Sequence, residues 1–207
     1  MFNIDFSQAL HTLAIALVPA LLGIILHEVA HGWVAERCGD HTARLMGRLT
    51  LNPLPHIDPM GLLVFGLTSL SGAFVFGWAK PVPVNPNYFR KPKQGMAVTA
   101  LAGPVSNFLL ALVLLFAGRL VYDYAPYSAA NQQLLTFLLT TAILSLGLGL
   151  FNLIPIPPLD GSHVLGELSP KAAELYGRYA RYWGLALILL LASGALSRPL
   201  GFLNDAV

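Results

Sequence analysis

The sequence predicts an α-helical polytopic membrane protein with about four spanning helices, a re-entrant segment and a small β-element near the cytoplasmic face. Three observations carry that reading. Hydrophobic residues make up 56% of the chain and charged residues only 11%, against the ~25% charged of an ordinary soluble domain. Residues 6–27, 59–79, 94–118, 124–159 and 182–197 contain no Asp, Glu, Lys or Arg, and several reach the roughly 17–25 residues that a spanning helix needs. The cations gather instead in two loops, three in 37–58 and four in 79–95. The net charge of +2 is too small to suggest a nucleic-acid partner, and the single Cys38 makes neither an intrachain disulfide nor a Cys-rich zinc site.

The first helix is expected over about 8–36, with Pro19 and Gly23 as bends and Gly39-Asp40 as its end. Asp5, with no Lys or Arg in residues 1–10, argues against a cleaved signal peptide. Residues 43–51 alternate Ala43, Leu45, Gly47, Leu49 and Leu51 with Arg44, Met46, Arg48 and Thr50. That period of two predicts a strand with one apolar and one cationic face. Asn52-Pro53 through Asp58-Pro59 is a turn-rich connection. Residues 60–78 are apolar but interrupted by Gly61, Gly66, Gly72 and Gly77, and the prolines of 78–86 suit an extended edge segment. Two strong spans follow over about 96–119 and 131–154, then a Pro- and Gly-containing loop over about 155–175. A last membrane helix is expected over about 176–197, opened by Tyr176, Tyr179, Tyr182 and Trp183 as an interfacial belt. The whole reads as one domain, 1–207, with its core in about 8–165.

His27-Glu28-Val29-Ala30-His31 lies at the end of the first span. Histidines four apart share a helix face and reach one metal ion, and the glutamate between them is a candidate base for a metal-bound water. Ionisable groups at membrane depth are costly, hence functional candidates by default. The third ligand is less obvious. No glutamate occurs between Glu36 and Glu167, and the position six after His31 is Arg37, so two common soluble patterns fail. Asp160, His163, Asp58, His41 and His56 remain. Asp160 is the best of them, because three prolines in 152–161 break the helix before it and can turn its side chain inward. The plainer readings are Asp160 as a helix cap, His41 and His56 as surface groups, and His11 as a packed or interfacial residue.

Charge and ligand geometry make one demand of the topology. The positive-inside tendency puts 37–58 and 79–95 on the cytoplasmic side together. His27, His31 and Asp160 also meet only if a single full crossing, 96–119, separates their helices. Both require 60–78 to enter the membrane and return, which is allowed where protein or a cavity covers it.

Three blocks in order, His27–His31, Ala102-Gly-Pro-Val-Ser-Asn107 and Asn152–Gly161, together resemble the site-2 protease family of intramembrane zinc metalloproteases. Phe76–Asn85 resembles a compact prokaryotic branch of it. The resemblance implies one zinc per chain held by His27, His31 and Asp160, Glu28 as general base, and Asn152 and Asn107 facing the substrate or the developing oxyanion. It implies an endopeptidase that cuts in or near transmembrane segments of membrane proteins. The setting would be a multi-pass protein of the cytoplasmic membrane, its active site toward the cytoplasm, with lipid and transmembrane substrates as partners. The strand at 43–51 and the extended stretch at 74–85 offer an edge for capturing substrate by strand addition; the competing reading is that both merely plug the membrane entrance. A catalytically silent scaffold or chaperone retaining the metal site is the alternative. A transporter is disfavoured, since the charge-free spans offer no ionisable path. Oligomeric state and substrate identity are not readable.

Overall fold

The computed structural model describes residues 6–71 and 77–193. Their regular structure is helical: α1 (Phe6–Cys38), α2 (Thr42–Leu45), α3 (Pro59–Ser71), α4 (Pro92–Tyr124), α5 (Ala129–Asn152), α6 (Asp160–Leu168), α7 (Pro170–Arg178) and α8 (Ala180–Ala192). Three stretches are long and apolar enough to cross a membrane, Leu17–Cys38, Pro92–Tyr124 and Ala129–Asn152. At 33 residues α4 is about 50 Å long, well beyond the ~30 Å hydrocarbon layer. Helix α4 is the hub, packing against α1, α5 and α6, while α1 also packs on α5.

The distribution of side chains is that of a lipid-solvated protein. Among the described residues, five of the ten buried apolar side chains are alanines, Ala35, Ala43, Ala100, Ala111 and Ala142, whereas Leu109, Leu112, Val113, Phe116, Leu185 and Ile188 are exposed. With apolar lipid outside there is nothing to gain by hiding leucine. Helices associate instead where small residues let backbones approach. Gly149 against the Phe108 ring and Gly23 against Ser145 are such places.

Helix α1 ends in a Schellman motif, with Gly39 N–H bonded to Glu36 O and Asp40 N–H to Ala35 O. Gly39 has φ +117°, which a side chain would resist. Beyond α3 the chain returns on itself. Lys80 N–H donates to His56 O at 2.8 Å, and Gly61 lies so close to the Trp78 carbonyl that a Cβ would sit 2.0 Å from it. The excursion over 57–79 therefore begins and ends at one place.

Two expected elements are corrected. The strand at 43–51 is absent: among the described residues there is no strand, and this stretch is α2 followed by turns. Its alternation does not reflect a sheet face. Gly47 takes φ +65°, Arg48 N–H closes back on Ala43 O, and the two arginines part company. Arg44 pairs with Glu36, while Arg48 is buried and donates to Lys80 O at 2.6 Å. The helix expected over 176–197 is likewise broken at Tyr179 into α7 and α8. Ser169 and Pro170 start α7 earlier by capping it, and the Trp183 indole N–H takes the Tyr176 carbonyl at the break. Residues 194–197, and residues 74–76 of the extended stretch, lie outside the described residues.

Candidate metal centre

His27 and His31, one turn apart on α1, are both buried, their rings edge-to-face with centroids 4.6 Å apart. Asp160 comes from the first turn of α6, behind the proline-broken stretch 153–159. Gly161 lets that turn lie against the end of α5, since a Cβ there would stand 2.2 Å from Leu153 O. The Asp160 carboxylate is consequently turned to the histidines, with Oδ2 3.1 Å from His27 Nε2 and 3.3 Å from His31 Nε2. One ligand atom from each of the three residues lies within 4.8 Å of the others.

Three features fit a metal cation at this point. First, His31 Nδ1 lies 2.7 Å from the Thr99 carbonyl, which only accepts. The ring proton therefore sits on Nδ1, and Nε2 presents a lone pair. Second, Asp160 Oδ2 is buried and makes no hydrogen bond, although two imidazole nitrogens face it. Two ring nitrogens and a carboxylate oxygen, all able to ligate a cation, converge there. Third, Gly103 of α4 leaves the space open: a Cβ would fall 2.4 Å from His31 Nε2 and 2.6 Å from His27 Nε2. Two histidines and a carboxylate are a donor set that suits a catalytic zinc and leaves its fourth position free.

Glu28 follows His27 on α1, and its Oε2 accepts the Val82 N–H at 2.7 Å. Val82 belongs to the extended, irregular stretch 77–85. The N–H groups of Lys80, Val82 and Asn85 are engaged by His56, Glu28 and Asp40 respectively. Asn107 is fully buried, its amide 3.1 Å from His27 Nδ1, the ring nitrogen on the side away from Asp160. Asn152 is half-buried at the end of α5, its amide N–H donating to Leu148 O of its own helix.

The other third-ligand candidates are occupied elsewhere. Asp58 accepts the Gly61 N–H at the start of α3, His41 bonds Glu36 in an exposed position, and His163 is exposed. His56, expected at the surface, is instead buried, with Nε2 2.9 Å from Thr50 O. The side chain of His11 lies outside the described ones. Thr99, Gly103 and Val82 were not singled out in the sequence. The first two had a usable signal: Thr99, Gly103 and Asn107 recur every four residues, one α4 face matched antiparallel to His31 and His27.

The profile of peptidase family M50 matches residues 118–191, a stretch that includes Asn152 and Asp160. The chain is 37% identical to "Putative zinc metalloprotease YwhC" of Bacillus subtilis (strain 168) over 179 residues, 84% of this chain and 78% of that protein. Rip2 of Mycolicibacterium smegmatis is 35% identical over 184 residues, 86% of this chain and 66% of that protein. Zinc metalloprotease MJ0392 of Methanocaldococcus jannaschii is 25% identical over 187 residues, 86% of this chain and 42% of that protein. No solved structure matches the chain. On its similarity to YwhC across most of both proteins, the chain belongs to the site-2 protease family of zinc metallopeptidases, peptidase family M50.

Proposed function

We propose that this protein is an intramembrane zinc endopeptidase, with His27, His31 and Asp160 holding one zinc per chain and Glu28 acting as general base. The observation that carries the reading is the convergence of three metal-ligating atoms from α1 and α6, with Glu28 adjoining them in sequence. A zinc bound there supplies a Lewis acid and an acidified water. Glu28 takes a proton from the attacking water and delivers it to the leaving amine nitrogen. One carboxylate oxygen held by Val82 N–H limits the rotation of the group and leaves the other for that proton. Asn152 is the polar group assigned to the substrate carbonyl or developing oxyanion. In the present state its amide N–H rests on Leu148 O and would have to turn from it.

The membrane placement belongs to the same reading. Helices α1, α4 and α5 cross, 60–78 enters and returns, and the loops 37–58 and 79–95 share the cytoplasmic side with the active site. The Lys80–His56 bond and the Gly61–Trp78 approach support the return. The whole chain then acts as one domain in a cell membrane, with lipid around it and transmembrane segments as substrates.

The test is zinc content by elemental analysis together with cleavage of a transmembrane reporter in proteoliposomes. Wild type should hold about one zinc and cleave. Asp160→Ala should lose the metal. Glu28→Gln should keep the metal and lose about 10²–10⁴ in kcat, the usual share of a general base. A Glu28→Gln protein with unchanged activity would remove Glu28 as the base, and a wild type that holds zinc but cleaves nothing would leave the metal-bearing scaffold as the better account.

A further inference from the structure

We propose that Asn107 is a positioning residue for His27, whose amide oxygen accepts the Nδ1 proton and so holds the Nε2 lone pair on the metal position. The inference rests on the metal reading of His27, His31 and Asp160. It departs from the role that the family resemblance implies for Asn107, contact with substrate.

Four observations lead to it. Asn107 has no exposed surface, and its amide meets His27 at Nδ1, across the ring from Asp160. A substrate carbonyl at the metal would lie on the other side of the imidazole. Next, the two histidines occupy equivalent places against α4. His31 stands opposite Thr99 and His27 opposite Asn107, with Gly103 between them. Thr99 meets His31 with a carbonyl oxygen, the acceptor that fixes a ligating imidazole. By the same logic His27 needs an oxygen at its Nδ1.

Third, the amide as placed brings Nδ2 to His27 Nδ1 and leaves Oδ1 buried without a partner. A half-turn about the last side-chain torsion exchanges the two atoms without altering the space filled. Oδ1 then gains the Nδ1 proton, and Nδ2 takes the place where Oδ1 had no partner. The unturned arrangement would instead put the His27 proton on Nε2, where it would oppose a cation. Fourth, Asp160 Oδ2 lies 3.1 Å from that Nε2, so with the His27 proton held on Nδ1 both atoms offer lone pairs to a cation.

The deciding experiment measures zinc affinity by chelator competition on the full-length protein in detergent, comparing wild type with Asn107→Asp and Asn107→Leu. An aspartate keeps the acceptor and loses the donor, whereas leucine loses both at similar volume. Asn107→Asp should bind zinc within a few-fold of wild type. Asn107→Leu should bind about 10–100-fold more weakly, the usual cost of removing a group behind a metal-bound histidine. Leucine binding as tightly as wild type, with only cleavage impaired, would place Asn107 on the substrate and overturn the proposal. If the leucine protein does not fold, Asn107→Asp decides alone, and a loss beyond tenfold there overturns it. A wild-type protein that takes no zinc strikes the metal reading itself, an outcome distinct from either.

Discussion

A single methyl group at position 103 would fall between the ligating nitrogens of the proposed metal site. Gly103→Ala should improve α4 as a helix, since alanine exceeds glycine by ~1 kcal/mol in propensity. It nevertheless brings a carbon to 2.4 Å from His31 Nε2. The expected result is a folded protein, by circular dichroism, whose zinc affinity falls by at least the ~100-fold that follows loss of a ligand's support. At this scale the sequence disclosed His27, Glu28 and His31 by their spacing, because helical period alone puts both rings on one face. Asp160 was legible as a favoured candidate through the prolines before it. The Thr99 carbonyl and Val82 N–H were not, because a backbone group carries no mark in the residue name. His56 was misread for a related reason: a polar loop in sequence became a buried knot once Lys80 and Thr50 closed on it.

Among the elements, the junction of α1, α2 and the 77–85 stretch depends on Asp40. Its carboxylate has no exposed surface and accepts from Thr42 N–H, Thr42 Oγ and Asn85 N–H. Burial works against its charge, but those hydrogen bonds outweigh it and hold the carboxyl below its ordinary value of 3.8. The stabilisation is therefore complete above about pH 4 and disappears as pH falls through the lower value of the folded protein. Asp40→Ala should cost about 1–3 kcal/mol near neutral pH by leaving donors unpaired. That difference should shrink on acidification below pH 4, as followed by denaturant unfolding in detergent. The long helices were the legible elements. Expected over about 8–36, 96–119 and 131–154, they occupy Phe6–Cys38, Pro92–Tyr124 and Ala129–Asn152, because apolar length translates directly into span. The helical turn at the start of 43–51 was not legible, since alternating residues look alike in a strand and in a short turn of helix followed by bends. The break at Tyr179 depends on an indole reaching back to Tyr176 O, a contact between residues that no local pattern announces.

For the whole molecule, sidedness is the quantity to measure. In a Cys38→Ser background, Leu54→Cys and Lys91→Cys should react with an impermeant thiol reagent from the same side of the membrane. Tyr127→Cys, at an exposed turn between α4 and α5, should react from the other. Labelling of Leu54→Cys and Lys91→Cys from opposite sides would mean that 60–78 crosses, and would remove the topology that brings Asp160 to the histidines.

One contact ties these scales together. Pro81 and Pro83 have no backbone N–H, so Val82 supplies the sole amide proton of that tripeptide, and Glu28 holds it. Sliding the loop by one residue in either direction would offer the carboxylate a proline nitrogen and nothing to grip. The aim of the proposed base is thus written in the phase of a distant loop. The two behave as key and ward: whatever shifts that loop out of step also disarms the chemistry.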